Sequence, residues 1–383
     1  MRRTSARWKR VRCASRSRPT CRTEIGAEWS GTRAATIGKS LLTSGLALRN
    51  PADTPPKEGP ERMTAHCFAM QQRTFYSSPK IAIAAAILFA LPVTALGALP
   101  AAGFEAGSVH VDRYGSGDPA LVLIPGLTDS SAVWTTTVAR YSGAHTIYVL
   151  TLPGFGGRPA VAAPMLDAVD RDIAAFLLTL KNKPVIIGHS LGGFLAIRLA
   201  EEHSDLIRGA IAIDGLPVFA GMEKMTPQDR AAGAAALGAR LAQASPAQFA
   251  AAQAYQMTFM TKPANVQTAL GFSAGANVAA TGIYLQELIA ADIRPALSKV
   301  SVPLWEIGPF DATIDPESPY NPMPTLAGKL AYYQSLLAGD PSAKVVMIDD
   351  SRHFIMLDQP EKLFAAIDSF LALPQVGVDL PKP

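Results

Sequence analysis

The chain has 383 residues, 49% of them hydrophobic and only 17% charged, which is enough apolar side chain to fill a large core and excludes a disordered protein. Its net charge of +4 is local: the first eighteen residues carry eight Arg or Lys and no acid, so nothing beyond that head supports a nucleic-acid partner. The three cysteines, Cys13, Cys21 and Cys67, precede residue 70, and the six histidines show no ligand spacing; no disulfide framework, thiol nucleophile, metal or cofactor is expected.

Residues 1–69, rich in Arg, Ser, Thr, Pro and Gly, show no periodicity and read as a disordered or overextended N-terminal region. Residues 70–97 differ. Arg73 and Lys80 precede the apolar run Ile81 to Leu91, Pro92 breaks it, and Ala95-Leu96-Gly97 offers small residues to a signal peptidase. These are the parts of a secretory signal peptide, with an apolar core too short for a comfortable membrane span. Such a signal belongs at an N-terminus, which points to translation starting near Met70, with Met63 also close by. A secreted or periplasmic protein is expected, without a stable span after cleavage; an uncleaved membrane anchor is the alternative.

The rest reads as alternating strands and helices. Val109 to Tyr114 alternates like an edge strand, and Gly115 to Asp118 turns. Leu121 to Ile124 is wholly apolar, as in a central parallel strand, and ends in Pro125-Gly126-Leu127-Thr128-Asp129. Trp134 follows, best read as core. Thr146 to Leu150 is the next strand, leading into Leu152-Pro153-Gly154-Phe155-Gly156. Leu166 to Leu180 has helical spacing, with Asp167, Asp170, Arg171 and Asp172 on its solvent side. Val185 to Ile187 is a buried run before Gly188-His189-Ser190-Leu191-Gly192-Gly193, and helical spacing resumes from Leu191 to Ala200. A G-x-S-x-G turn between strand and helix is a nucleophile elbow. Its glycines admit a bend that larger side chains would block, and the first helix amides point where negative charge can be held. The plainer reading of Ser190 is a helix cap. His189 adjoins Ser190 at a sharp turn, points away from it, and reads as a buried hydrogen-bonding residue. Ala210 to Asp214 is another strand. Residues 218–298 are alanine-rich and helical, with Met222, Met225, Met257 and Met260 and breaks at Pro227, Pro246 and Pro263. Val302 to Gly308 and Val345 to Ile348 are the last strands, and Glu361 to Leu371 closes the chain as a helix.

Taken together, Ile124-Pro125-Gly126-Leu127, Leu152-Pro153-Gly154-Phe155-Gly156, the serine elbow and the late Arg352-His353-Phe354 resemble the α/β-hydrolase family from about Val109 to Leu373. The resemblance implies a mostly parallel sheet flanked by helices, with the core in 98–217 and 299–383 and a helical cap in 218–298. It implies Ser190 as nucleophile, His353 as base and an acid after the strand 302–308, where Gly308-Pro309-Phe310-Asp311 matches the family's G-x-x-D and places Asp311 ahead of Asp315. The backbone amides of Leu127 and Leu191 would form the oxyanion hole. Three positions depart from the family: Pro125 where it commonly has His, Thr151 where the P-G-x-G loop usually has an acid, and Arg352 where Gly usually precedes the histidine.

A serine hydroxyl needs a base in contact and the base an orienting acid. The resemblance therefore implies an exported serine hydrolase acting on small or medium apolar carboxylic esters, its partner a small molecule. A lactonase, a carbon–carbon bond hydrolase, an aminopeptidase-like amidase and a cofactor-free haloperoxidase share the same triad. Glu223 is the acidic cap residue that an aminopeptidase would want. A binding protein of this fold that has lost turnover is the alternative outside enzymes.

Overall fold

The computed structural model describes residues 101–317 and 322–376. The N-terminal region 1–69 and the segment 70–97 expected to be a signal peptide lie outside the described residues. Eight strands form one sheet: β1 (Ala101–Ala106), β2 (Val109–Tyr114), β3 (Leu121–Ile124), β4 (Ile147–Thr151), β5 (Val185–His189), β6 (Gly209–Ile213), β7 (Leu304–Phe310) and β8 (Lys344–Asp349). Their order is β1-β2-β4-β3-β5-β6-β7-β8. β2 runs antiparallel to both of its neighbours, and β4 through β8 are parallel. The sheet is thus mostly parallel, with helices on both faces. β1 has no strong sequence signal and takes the edge, so β2 lies one strand inside it.

The helices are α1 (Thr135–Tyr141), α2 (Met165–Leu177), α3 (Leu191–Glu202), α4 (Pro227–Ala242), α5 (Pro246–Met260), α6 (Val266–Phe272), α7 (Val278–Ala290), α8 (Leu326–Leu336), α9 (Ile355–Asp358) and α10 (Pro360–Leu371). Strand alternation divides the core into two layers. Val122, Ile124 and Ile186 pack with Val169 and Ile173 of α2 and Leu195 and Leu199 of α3. Leu121, Leu123, Val185 and Ile187 pack on the opposite face with Trp134, Val138 of α1 and Ile367 and Phe370 of α10. Trp134 is fully buried there as a core residue. Each such fully buried aliphatic side chain contributes about 1.5–3 kcal/mol.

One expectation fails on α2. Asp170 does not face solvent: it is 4% exposed, between Arg198 and His203 of the neighbouring segment. Burial raises its carboxyl to about 6, more than the Arg198 charge lowers it. The folded state is therefore penalised as pH rises from the unfolded value of about 4 through 6. Asp170→Asn should raise stability at pH 7 by about 1–3 kcal/mol and leave it unchanged below about pH 4, read by thermal unfolding across pH.

Helices α4 to α7 are inserted between β6 and β7. Pro227 and Pro246 do not break them; they open α4 and α5 behind the capping residues Thr226 and Ser245, as a residue lacking an amide hydrogen should. The insertion is held to the core at defined points. Glu287 of α7 accepts the amides of Met165 and Leu166 at 2.9 and 2.7 Å, so a carboxylate caps the N-terminus of α2. Asp358 accepts hydrogen bonds from the Thr261 hydroxyl, the Lys262 amide and the Asn265 side chain.

Candidate active site

The parallel strands end along one edge of the sheet, where α/β folds carry their sites. Four non-glycine residues adopt left-handed backbone conformations among the described residues: Thr128, Ser190, Asp214 and Asp350, with φ of 70, 55, 48 and 58°. Each lies within four residues of the C-terminal end of β3, β5, β6 or β8. Such backbone costs about 1–3 kcal/mol per residue and persists where its surroundings hold it.

Ser190 sits between β5 and α3 with ψ −115°, and its side chain makes no capping hydrogen bond, so the plain helix-cap reading does not describe it. The turn is as tight as the motif requires. A methyl on Gly188 would lie 1.9 Å from the Gly192 carbonyl oxygen, and one on Gly192 would lie 2.1 Å from that of Ile124. Gly192 thereby packs the start of α3 against the end of β3, where Leu127 follows. A methyl on Gly126 would come 3.3 Å from the Ser190 Cβ, so the loop after β3 reaches the serine. Leu127 is half-buried and Leu191 buried.

His353 lies in the loop after β8. Its Nδ1 is 2.5 Å from Oδ2 of Asp214. Asp311, expected as the orienting acid, is not brought to the histidine. Its Oδ2 instead accepts from Arg352 Nε at 2.7 Å, and its Oδ1 accepts from the Thr313 amide and hydroxyl. Burial acts to raise the Asp311 carboxyl, but the Thr313 hydroxyl and the Arg352 guanidinium hold it below the usual range. Asp315 is also committed, accepting from Lys329 Nζ at 2.6 Å and from the Asp311 amide at 2.7 Å. The pairing of His353 with Asp214 has a simple geometric cause. β6 is the direct neighbour of β5, with Ile213 opposite His189, so the next residue on each strand, Asp214 and Ser190, comes out level.

Asp214 is well furnished as an anion. Tyr333 donates its hydroxyl to Oδ1 at 2.5 Å. Burial alone would raise the carboxyl, but the charge and hydrogen bond of His353, with Lys329 and the Tyr333 hydroxyl, hold it at about 2. Behind it, Glu306 on β7 is fully buried and accepts the Gly215 amide at 3.3 Å. Burial, then the nearby Asp214 charge, pushes the Glu306 carboxyl well above the usual carboxylate range. Sequence reading missed both acids. Asp214 carried a usable signal, an acid directly after a buried strand and between serine and histidine in chain order; Glu306 inside an apolar strand carried none.

Arg352, which replaces the family's glycine, also donates to the carbonyls of Thr258 and Thr261 at the end of α5. It joins the histidine loop to the inserted helices. Glu223 is occupied too, accepting from the Tyr332 hydroxyl at 3.2 Å. No described helix is long and apolar enough to cross a membrane.

The profile of the alpha/beta hydrolase family matches residues 121–367, and the chain belongs to that family. It is 32% identical over 114 residues to a pimeloyl-[acyl-carrier protein] methyl ester esterase of Aeromonas hydrophila, covering 29% of this chain and 43% of the relative. It is also 32% identical over 113 residues to a 2-(acetamidomethylene)succinate hydrolase of Mesorhizobium japonicum, covering 29% and 40%. The chain thus spans under half the length of these curated relatives. Among solved structures, the enol-lactonase of Burkholderia xenovorans superposes with a TM-score of 0.55 at 17% identity, covering 71% of this chain and 100% of that one. A thermophilic esterase from Thermogutta terrifontis gives 0.57 at 18%, covering 71% and 98%; both likenesses concern the fold.

Proposed function

We propose that this protein is an exported serine hydrolase that cleaves carboxylic esters of small or medium apolar substrates. The observation that carries the reading is the 2.5 Å bond between His353 Nδ1 and Asp214, beside a strained elbow serine that does not cap its helix. With Nδ1 bound to the acid, Nε2 is free to take a proton from the Ser190 hydroxyl. Ser190 Oγ attacks the ester carbonyl, and the oxyanion is held by the amides of Leu127 and Leu191, each donor worth about 3–4 kcal/mol. His353 returns the proton to the leaving alcohol. Water, activated by the same base, attacks the acyl-enzyme and releases the acid. Asp214 takes the acid's role in place of Asp311. The resemblance to a methyl ester esterase supports an ester bond as the target, and the apolar pattern of 81–91 supports export.

The test is hydrolysis of p-nitrophenyl esters of rising chain length by wild type and Ser190→Ala. Turnover that disappears in the variant is expected, with an optimum chain length that sizes the acyl pocket. Equal turnover by both proteins would refute the serine mechanism, and a folded protein without activity on any ester would refute the ester specificity. N-terminal sequencing of the mature protein from its host should begin near Ala98; a start at Met1 would overturn export through this signal.

A further inference from the structure

The mechanism leaves unused a second acid–histidine pair directly beneath the site. Asp129 and His189 are each 1% exposed at the side chain, and Asp129 Oδ2 lies 3.4 Å from His189 Nδ1. Neither carboxylate oxygen of Asp129 has a hydrogen-bond partner, nor has His189 Nδ1. The opposite ring nitrogen, Nε2, lies 3.2 Å from the main-chain carbonyl of His353. The His189 ring packs 4.6 Å from the His353 ring and 4.9 Å from Phe354.

The proton count follows from these partners. A carbonyl only accepts, so Nε2 carries a hydrogen. Burial, outweighing the pull of Asp129, lowers the His189 pKa and favours the neutral ring. Nδ1 then presents a lone pair to a carboxyl oxygen, both side chains being only 1% exposed. Two buried acceptors facing each other cost free energy that one proton between them removes. The titratable groups facing His189 are Asp129 from the loop after β3, His353 from the loop after β8, and Asp214 from the end of β6.

The pair touches three loops of the site. Asp129 closes the turn after β3, its amide donating to the Gly126 carbonyl at 3.2 Å. That turn contains Leu127 and the left-handed Thr128, a β-branched residue for which φ of 70° is an outlier that its surroundings must hold. His189 precedes Ser190 in the elbow, and its other nitrogen grips the backbone of His353.

We propose that Asp129 and His189 share one buried proton and act as positioning residues, fixing the loop of Leu127 and the loop of His353 to the serine elbow. This rests on the serine-hydrolase reading for its kinetic consequences, not for the proton itself.

Two measurements separate the parts. Nitrogen-15 NMR of the His189 ring should show a neutral imidazole whose Nε2 hydrogen resists exchange. Infrared difference spectra of wild type and Asp129→Asn should show one protonated carboxyl lost. Both are read without substrate, so they stand even if the ester assay fails. In the assay, Asp129→Leu and His189→Phe should each lower kcat by about 100-fold with KM changed little, as expected when reacting groups are misplaced by a fraction of an ångström. Asp129→Asn, whose amide can donate to Nδ1, should recover most of that loss and leave the acid limb of the kcat/KM profile where it is in wild type. An acid limb displaced in Asp129→Asn would show a bare carboxylate and overturn the shared proton. Folded Asp129→Leu and His189→Phe proteins with wild-type kcat would overturn the positioning role. If Asp129→Leu does not fold, Asp129→Asn and the spectra decide the shared proton, and His189→Phe decides the role.

Discussion

Asp214→Asn should lower kcat by about 10,000-fold, the loss seen when a triad acid is made neutral and the histidine is left in the wrong tautomer. Asp311→Asn should lower it by no more than about ten-fold, because its carboxylate is bound to Arg352 and Thr313 rather than to His353. The pair of variants, assayed on one ester under one set of conditions, decides between the two acids; a large loss in Asp311→Asn with little in Asp214→Asn would reverse the assignment. Stability supplies a second reading. Asp214 is held at about 2 in the folded protein against an ordinary value of 3.8, so its ionised form favours folding. That contribution, about 2 kcal/mol, is complete above about pH 4 and fades as pH falls through 2. Asp214→Asn should therefore be less stable than wild type at pH 7, with the difference closing toward pH 2.

How much of this was legible in the sequence depended on whether a signal was local. The elbow was legible because its glycines, its serine and the strand and helix around it are contiguous, and steric demands at Gly188 and Gly192 act over a few residues. The parallel strands were legible as apolar runs. The acid was not, because two strand ends offered an aspartate and the choice depends on what each carboxylate meets across the sheet edge. Arg352 is the deciding residue. It departs from the family pattern, and its guanidinium neutralises Asp311, a consequence invisible until residues 41 apart are brought together. Asp170 misled for a similar reason. Its place on the polar side of a helix predicts exposure, but that side packs against the end of α3. Strand β1 is short of β-branched residues and is held in place by pairing with β2 rather than by its own propensity.

Gly192→Ala should both destabilise the protein and disable it, while Gly233→Ala should do neither. A methyl at Gly192 would meet the Ile124 carbonyl oxygen at 2.1 Å and that of Pro125 at 2.7 Å. Both are backbone atoms of β3 and its exit, which cannot rotate aside as a side chain would. Relief requires α3 and β3 to separate, at a cost of about 3 kcal/mol or more. The same separation moves Leu127, two residues beyond Pro125, away from Ser190. An oxyanion donor that is displaced rather than removed still loses most of its effect, so kcat should fall by about 100-fold in whatever fraction remains folded. Gly233, within helix α4, has open space where its methyl would lie. Alanine there gains about 0.5–1 kcal/mol from lower backbone entropy in the unfolded chain and should leave kcat unchanged. Thermal unfolding and steady-state kinetics on the two variants test the argument together. A Gly192→Ala enzyme with wild-type kcat would mean that the contact between the elbow and the strand end does not set the position of the proposed oxyanion loop.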